Sequence, residues 1–165
     1  MSNVVLTLGD DVSTDVIYPG RHMATVLPTE TPQYAFADLA DFNARLRAGK
    51  IPQGSFVVAG KNFGCGSSRE QAVSALKGHE LVIVARGFAR IFFQNSVNLG
   101  LQLVEVPDVE AGEGDELEIQ GDELINVSRA KRFFILPIPA ARLDVMEAGG
   151  LIAYTRRRLL ERAKR

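Results

Sequence analysis

Ser55-Phe56-Val57-Val58-Ala59-Gly60-Lys61-Asn62-Phe63-Gly64-Cys65-Gly66-Ser67-Ser68-Arg69-Glu70 is the stretch whose reading decides the fold. Phe56 to Ala59 is an unbroken apolar run, the pattern of a strand covered on both faces. Gly60, Gly64 and Gly66 follow, where a chain can turn tightly and bring its backbone close to a ligand. From Ser67 or Ser68 to about Lys77 the pattern reads as a helix. Strand, tight loop and helix form the repeating unit of a parallel sheet.

The unit recurs downstream. Leu81 to Ala85 is a second apolar strand, Phe88 to Asn98 a helix with Gly100 at its stop, and Leu101 to Val106 a third strand. Helical crossovers between buried strands make the middle of the chain a parallel βαβαβ. Upstream, Val4 to Leu8 reads as a strand entering the polar turn Gly9-Asp10-Asp11, and Pro19-Gly20 marks another turn. Residues 21 to 32, interrupted by Pro28 and Pro32, read as a loop; Tyr34 to Ala48 has near-helical spacing closed by Gly49. After Pro107 the character changes. Residues 116 to 128 alternate as a β-hairpin around Gly121-Asp122, and Phe133 to Leu136 reads as a further strand. Ala140 to Ala148 starts a helix that Gly149-Gly150 interrupts, and the tail from Leu151 reads as helical. The expectation is an α/β fold in one domain over residues 1–165, a mixed sheet with a central parallel βαβαβ and a flanking antiparallel hairpin.

Bulk composition narrows the function. The chain has 165 residues, 46% hydrophobic and 24% charged, with a net charge of −1. These are globular values, and the neutral balance argues against nucleic acid. The basic cluster from Arg156-Arg157-Arg158 to Arg165 reads as a solvated helix face. No run approaches the roughly 20 apolar residues of a membrane span, and the N-terminus lacks the pattern of a signal peptide. A single cysteine, Cys65, permits no internal disulfide and fits a cytoplasmic setting. One thiol also falls short of the several thiolates an iron–sulfur cluster requires.

The glycine loop has chemistry of its own. A helix start offers free backbone N–H groups and the positive end of a dipole, which suit a carboxylate or phosphate. Arg69 adds a planar donor fork matched to a carboxylate. The same residues also fit a capping box, with Ser67 at the cap and Glu70 three positions on. On the residues alone, both readings stand. The loop lacks the lysine of a P-loop and the spacing of a dinucleotide fingerprint. Cys65 lies near a helix start, where a thiol can be activated, but neither His22 nor His79 offers a readable partner.

Three ordered stretches carry a resemblance. They are Asp10-Asp11-Val12-Ser13-Thr14-Asp15-Val16-Ile17-Tyr18-Pro19-Gly20, Gly60 through Ala72, and Ala85-Arg86-Gly87-Phe88-Ala89-Arg90-Ile91-Phe92-Phe93-Gln94-Asn95 followed by Asn98-Leu99-Gly100-Leu101. Their order and spacing resemble the small subunits and swivel domains of aconitase-type hydro-lyases, in the short form. The resemblance implies a swivelling β/β/α domain that closes over a large subunit bearing a [4Fe-4S] cluster, with no cofactor or metal in this chain. It implies dehydration and rehydration of a hydroxy di- or tricarboxylic acid. By position, Ser67 is the base, Ser68 and Arg69 bind a substrate carboxylate, and Asp15 supports a histidine of the large subunit. Asn62 and Arg90 take supporting roles.

Substrate choice in that family falls to the residues after Pro19-Gly20. Short-form members commonly carry an arginine there for an extra carboxylate, or an apolar residue for a branched alkyl group. Here the segment reads Arg21-His22-Met23-Ala24-Thr25, which matches neither pattern. Met23 and Ala24 favour an alkylmalate: 3-isopropylmalate, on the route to leucine, or its relatives citramalate and dimethylmalate. Arg21 and His22 leave homoaconitate as the alternative. A non-catalytic binding or regulatory domain is the reading from another class, and the intact Ser67-Ser68-Arg69 argues against it.

Overall fold

The protein, described here from a computed structural model, is defined over residues 1–163. Lys164 and Arg165, the end of the basic cluster, lie outside the described residues. Four parallel strands, β1 (Ser2–Thr7), β2 (Phe56–Ala59), β3 (Val82–Ala85) and β4 (Leu103–Glu105), form one half of a seven-stranded sheet. Helix α3 (Glu70–Gly78) crosses from β2 to β3, and α4 (Arg90–Leu99) from β3 to β4. Strands β5 (Glu116–Gln120), β6 (Glu123–Asn126) and β7 (Lys131–Phe134) continue antiparallel from the free edge of β1, giving the order β4-β3-β2-β1-β5-β6-β7. The sheet curls far enough for the Leu136 N–H, just past β7, to reach the Glu105 carbonyl at the end of β4 (2.8 Å).

Apolar runs in β2 and β3 follow from burial on both faces. Val57, Ala59, Ile83 and Ala85 point to the helical side, packing with Ala72, Val73, Leu76 and Phe92. Phe56, Val58, Val82 and Val84 point into the curl, against Val104, Leu117 and Leu124. Each fully buried aliphatic side chain contributes about 1.5–3 kcal/mol.

The expected mixed sheet, crossovers and hairpin are all present, with three local corrections. The expected helix over 34–48 is only α2 (Ala40–Arg47), preceded by a 3₁₀ turn at Thr31–Tyr34. Phe36 blocks a longer helix: it is fully buried, its backbone is left-handed (φ 52°), and its N–H donates to the Ile17 carbonyl (2.7 Å). The expected strand at 133–136 is shifted to Lys131–Phe134, because β7 takes its register from β6. The third correction, the start of α3, belongs to the site. Short helix α1 (Thr14–Ile17) sits between β1 and a 3₁₀ turn at Gly20–His22; α5 (Ala140–Glu147) and α6 (Leu151–Ala163) end the described chain. No helix is long and apolar enough to cross a membrane among the described residues.

Candidate active site

Beyond β1 and β2 the chain keeps its parallel pairing, now as loops. Gly60 N–H donates to the Gly9 carbonyl (3.0 Å), Asp11 N–H to Lys61 (2.9 Å), Gly64 N–H to Val12 (2.8 Å) and Thr14 N–H to Cys65 (2.8 Å). Asn62 and Asp11, both left-handed (φ 59° and 54°), are clasped by Asn62 Nδ2 donating to Asp11 Oδ1 (2.8 Å). The loop after β3 closes the other side: Phe63 N–H donates to Gly87 (3.0 Å) and Ala89 N–H to Phe63 (2.9 Å). The three sequence stretches therefore meet at the carboxyl ends of parallel strands, where α/β sheets open a crevice for ligands.

Two glycines make the final turn. Gly64 has φ 82°, and a Cβ there would run into the Phe92 ring; Gly66 has φ 98°. This backbone delivers Ser67 onto Thr14. Ser67 Oγ lies 2.9 Å from Thr14 Oγ1, and the Ser67 N–H donates to that same oxygen (3.1 Å). Thr14 is buried, and Ser67 is half-buried.

Helix α3 does not begin at Ser67 or Ser68, as expected, but at Glu70, with Arg69 as N-cap and no side chain capping it. The capping box does not form: Glu70 occupies the first turn itself, and the Ser67 hydroxyl is engaged by Thr14. Its early N–H groups are thus uncapped by side chains. Ser68 is exposed, its carbonyl accepting from Asn95 Nδ2 (3.1 Å) on α4.

Arg69 stands beside Asp15. Its Nη1 donates to Asp15 Oδ1 at 2.5 Å and to the Tyr18 carbonyl at 3.4 Å. The arginine side chain is only 18% exposed while the aspartate is 62% exposed. The guanidinium is fixed from one edge, and the carboxylate faces outward. A Cβ on Gly20 would lie 3.4 Å from Asp15 Oδ1 and 3.6 Å from Arg69 Nη1, so the next segment starts at the site.

In that segment Arg21 and His22 are engaged by residues further along the chain. Arg21 makes a two-pronged ion pair with Asp38 (2.5 and 3.2 Å), which holds the Asp38 carboxyl below its usual range. His22 stacks on Tyr34 with ring centroids 4.0 Å apart. Tyr18 Oη donates to the carbonyls of His22 (3.1 Å) and Thr25 (3.3 Å), and burial pushes the phenol's pKa up. Gln71 Nε2 reaches the Met23 carbonyl (3.4 Å). Met23 and Ala24 are exposed.

The residues do not fit a resident cluster. Among the described residues no three His, Cys, Asp or Glu side chains converge, and Cys65 is a lone thiol. Ser67 meets Thr14, and Arg69 meets Asp15, across the two loops; Arg21 and His22 engage Asp38 and Tyr34. Sequence reasoning passed over Thr14, Asn95, Asp38 and Tyr34. Thr14 had a signal, since it directly precedes Asp15.

The sequence model of the aconitase C-terminal domain matches residues 24–108. The 3-isopropylmalate dehydratase small subunit of Thermodesulfovibrio yellowstonii is 39% identical over 160 residues, covering 94% of this chain and 93% of that protein. The small subunit from Methanosarcina acetivorans is 41% identical over 160 residues, covering 93% and 95%. This chain belongs to the aconitase C-terminal domain family, in its small-subunit form. The structure agrees: a crystal structure of 3-isopropylmalate dehydratase from Methanocaldococcus jannaschii superposes with a TM-score of 0.87 at 34% identity, over 98% of this chain and 96% of that one. As a member of that family the chain is a hydro-lyase subunit, and the resemblance read from the three motifs holds.

Proposed function

We propose that this chain is one half of a 3-isopropylmalate dehydratase, in one swivelling domain that closes over a large cytoplasmic subunit. Ser67 is the base, Ser68 and Arg69 hold a substrate carboxylate, and Asp15 orients a histidine of the large subunit. The observation that carries this is the meeting of Thr14-Asp15 with Ser67-Arg69, from loops more than 50 residues apart.

A free serine hydroxyl is a very weak acid, so its deprotonated form needs donors nearby. Helix α3 begins three residues after Ser67 with no side chain capping it, and its positive dipole end favours negative charge nearby. Ser67 Oγ takes the proton from the carbon next to the carboxylate, and the electron pair stays on carbon. The large subunit's cluster, when present, supplies the Lewis acid for the departing hydroxyl. Arg69, steadied by Asp15 and the Tyr18 carbonyl, fixes the carboxylate and thereby aligns the C–H bond.

Substrate choice follows from residues 21–25. Arg21 is bound to Asp38 and His22 lies on Tyr34, while Met23 and Ala24 stay exposed. That favours an alkyl substituent over a third carboxylate. The test is anaerobic reconstitution with the large subunit and assay of 3-isopropylmalate, citramalate, dimethylmalate and homoaconitate. The alkylmalates should show the higher kcat/KM, and the isolated chain should turn over none. A preference for homoaconitate would overturn the substrate reading, and turnover by the isolated chain would overturn the half-site reading.

A further inference from the structure

We propose that the Thr14 hydroxyl is the hydrogen-bond donor that holds the Ser67 oxygen in its proton-free form. The inference rests on the reading of Ser67 as base and names a group that acts on it.

Thr14 is fixed on every side. It is 1% exposed, its N–H donates to the Cys65 carbonyl (2.8 Å), and its carbonyl accepts the Tyr18 N–H (2.8 Å). A β-branched side chain has few rotamers to choose from. Oγ1 therefore has one place to be, 2.9 Å from Ser67 Oγ.

The proton count then decides the polarity. A threonine hydroxyl has one proton to give and two lone pairs. One lone pair receives the Ser67 N–H at 3.1 Å. Among the described residues Oγ1 has no hydrogen-bond partner outside Ser67. While Ser67 keeps its proton, either hydroxyl can donate. Once Ser67 Oγ is proton-free it can only accept, so the Thr14 proton must point at it. The serine N–H, by drawing on the threonine oxygen, polarises that O–H and strengthens the bond to a charged acceptor. Thr14 keeps its proton throughout; it stabilises the charge and transfers nothing. Burial matters here, because a hydrogen bond to a charge is worth more where water is excluded.

A loop staple would use the same two hydroxyls, so the test must separate the roles. Thr14→Val keeps the shape and removes the donor; Thr14→Ser keeps the donor. Both are measured in the reconstituted complex, beside Ser67→Ala, with ordinary substrate and with substrate deuterated at the carbon that loses its proton. Thr14→Val should lower kcat by about 10²–10³, the cost of one lost donor to a developing oxyanion. KM should change little, and the isotope effect should rise as proton removal becomes limiting. Thr14→Ser should restore most of the rate. Near-normal turnover by Ser67→Ala would remove the underlying base reading. An inactive Ser67→Ala with a Thr14→Val rate close to normal would overturn the Thr14 proposal alone. So would equal losses in Thr14→Val and Thr14→Ser, or a loss with an unchanged isotope effect. If Thr14→Val fails to assemble, Thr14→Ala against Thr14→Ser carries the same comparison.

Discussion

Gly64→Ala should be among the most damaging single-methyl changes in the loop, and the structure separates its two costs. Gly64 has φ 82°, a left-handed backbone that costs an L-residue about 1–2 kcal/mol. The added methyl would also enter the ring of Phe92, which is 2% exposed and cannot swing to solvent. Overpacking of that kind adds about 1–3 kcal/mol. Gly49 is the control: its φ is 65°, with nothing within 4 Å of the new methyl. Gly49→Ala should therefore carry the backbone cost alone. Urea unfolding should put Gly64→Ala about 1–3 kcal/mol below Gly49→Ala. In a chain of this size that is roughly 2–4 °C in Tm per kcal/mol. Equal losses in the two variants would refute the argument that the Phe92 contact sets the loop's path.

Three further outcomes follow from the packing and charges. Ile83→Ala, at a fully buried position of β3, should cost about 2–5 kcal/mol in denaturant unfolding. Asp115 accepts from the Gly112 N–H (2.8 Å), Asn126 Nδ2 (2.9 Å) and Arg129 (2.6 Å), which hold its carboxyl below the usual range. Its stabilisation is complete above the unfolded-state pKa of about 3.9 and is lost as pH falls through the lower folded value. Asp115→Asn should thus cost about 1–3 kcal/mol at neutral pH, and the gap to the parent should narrow in acid unfolding curves; a pH-independent gap would contradict this. Arg21→Ala breaks a pair whose side chains are 55% and 59% exposed, so the urea midpoint should stay close to that of the parent; kcat/KM for an alkylmalate should do the same.

The parallel core was legible because β2 and β3 are buried on both faces, which writes an apolar run with no polar interruption. Gly100 was legible as a stop because only its left-handed backbone (φ 75°) lets α4 end there. What was not legible depends on partners distant in sequence. Phe36 fits a helical spacing, but Ile17 holds it in a left-handed turn. Ser67 fits a cap, but its hydroxyl lies 2.9 Å from Thr14 Oγ1 and α3 has no side-chain cap. Arg21 reads as a free cation until Asp38, in the turn before α2, pairs with it. In each case a local pattern was overridden by a hydrogen bond that the linear sequence does not display.

Ser67 is the residue on which the proposed half-site chemistry turns. The decisive measurement is kcat of the reconstituted complex, with 3-isopropylmalate, when the small subunit carries Ser67→Ala and assembly is verified. A proton-abstracting Ser67 held by Thr14 predicts a fall of about 10²–10⁴ with little change in KM. Turnover within a few-fold of the parent would contradict it.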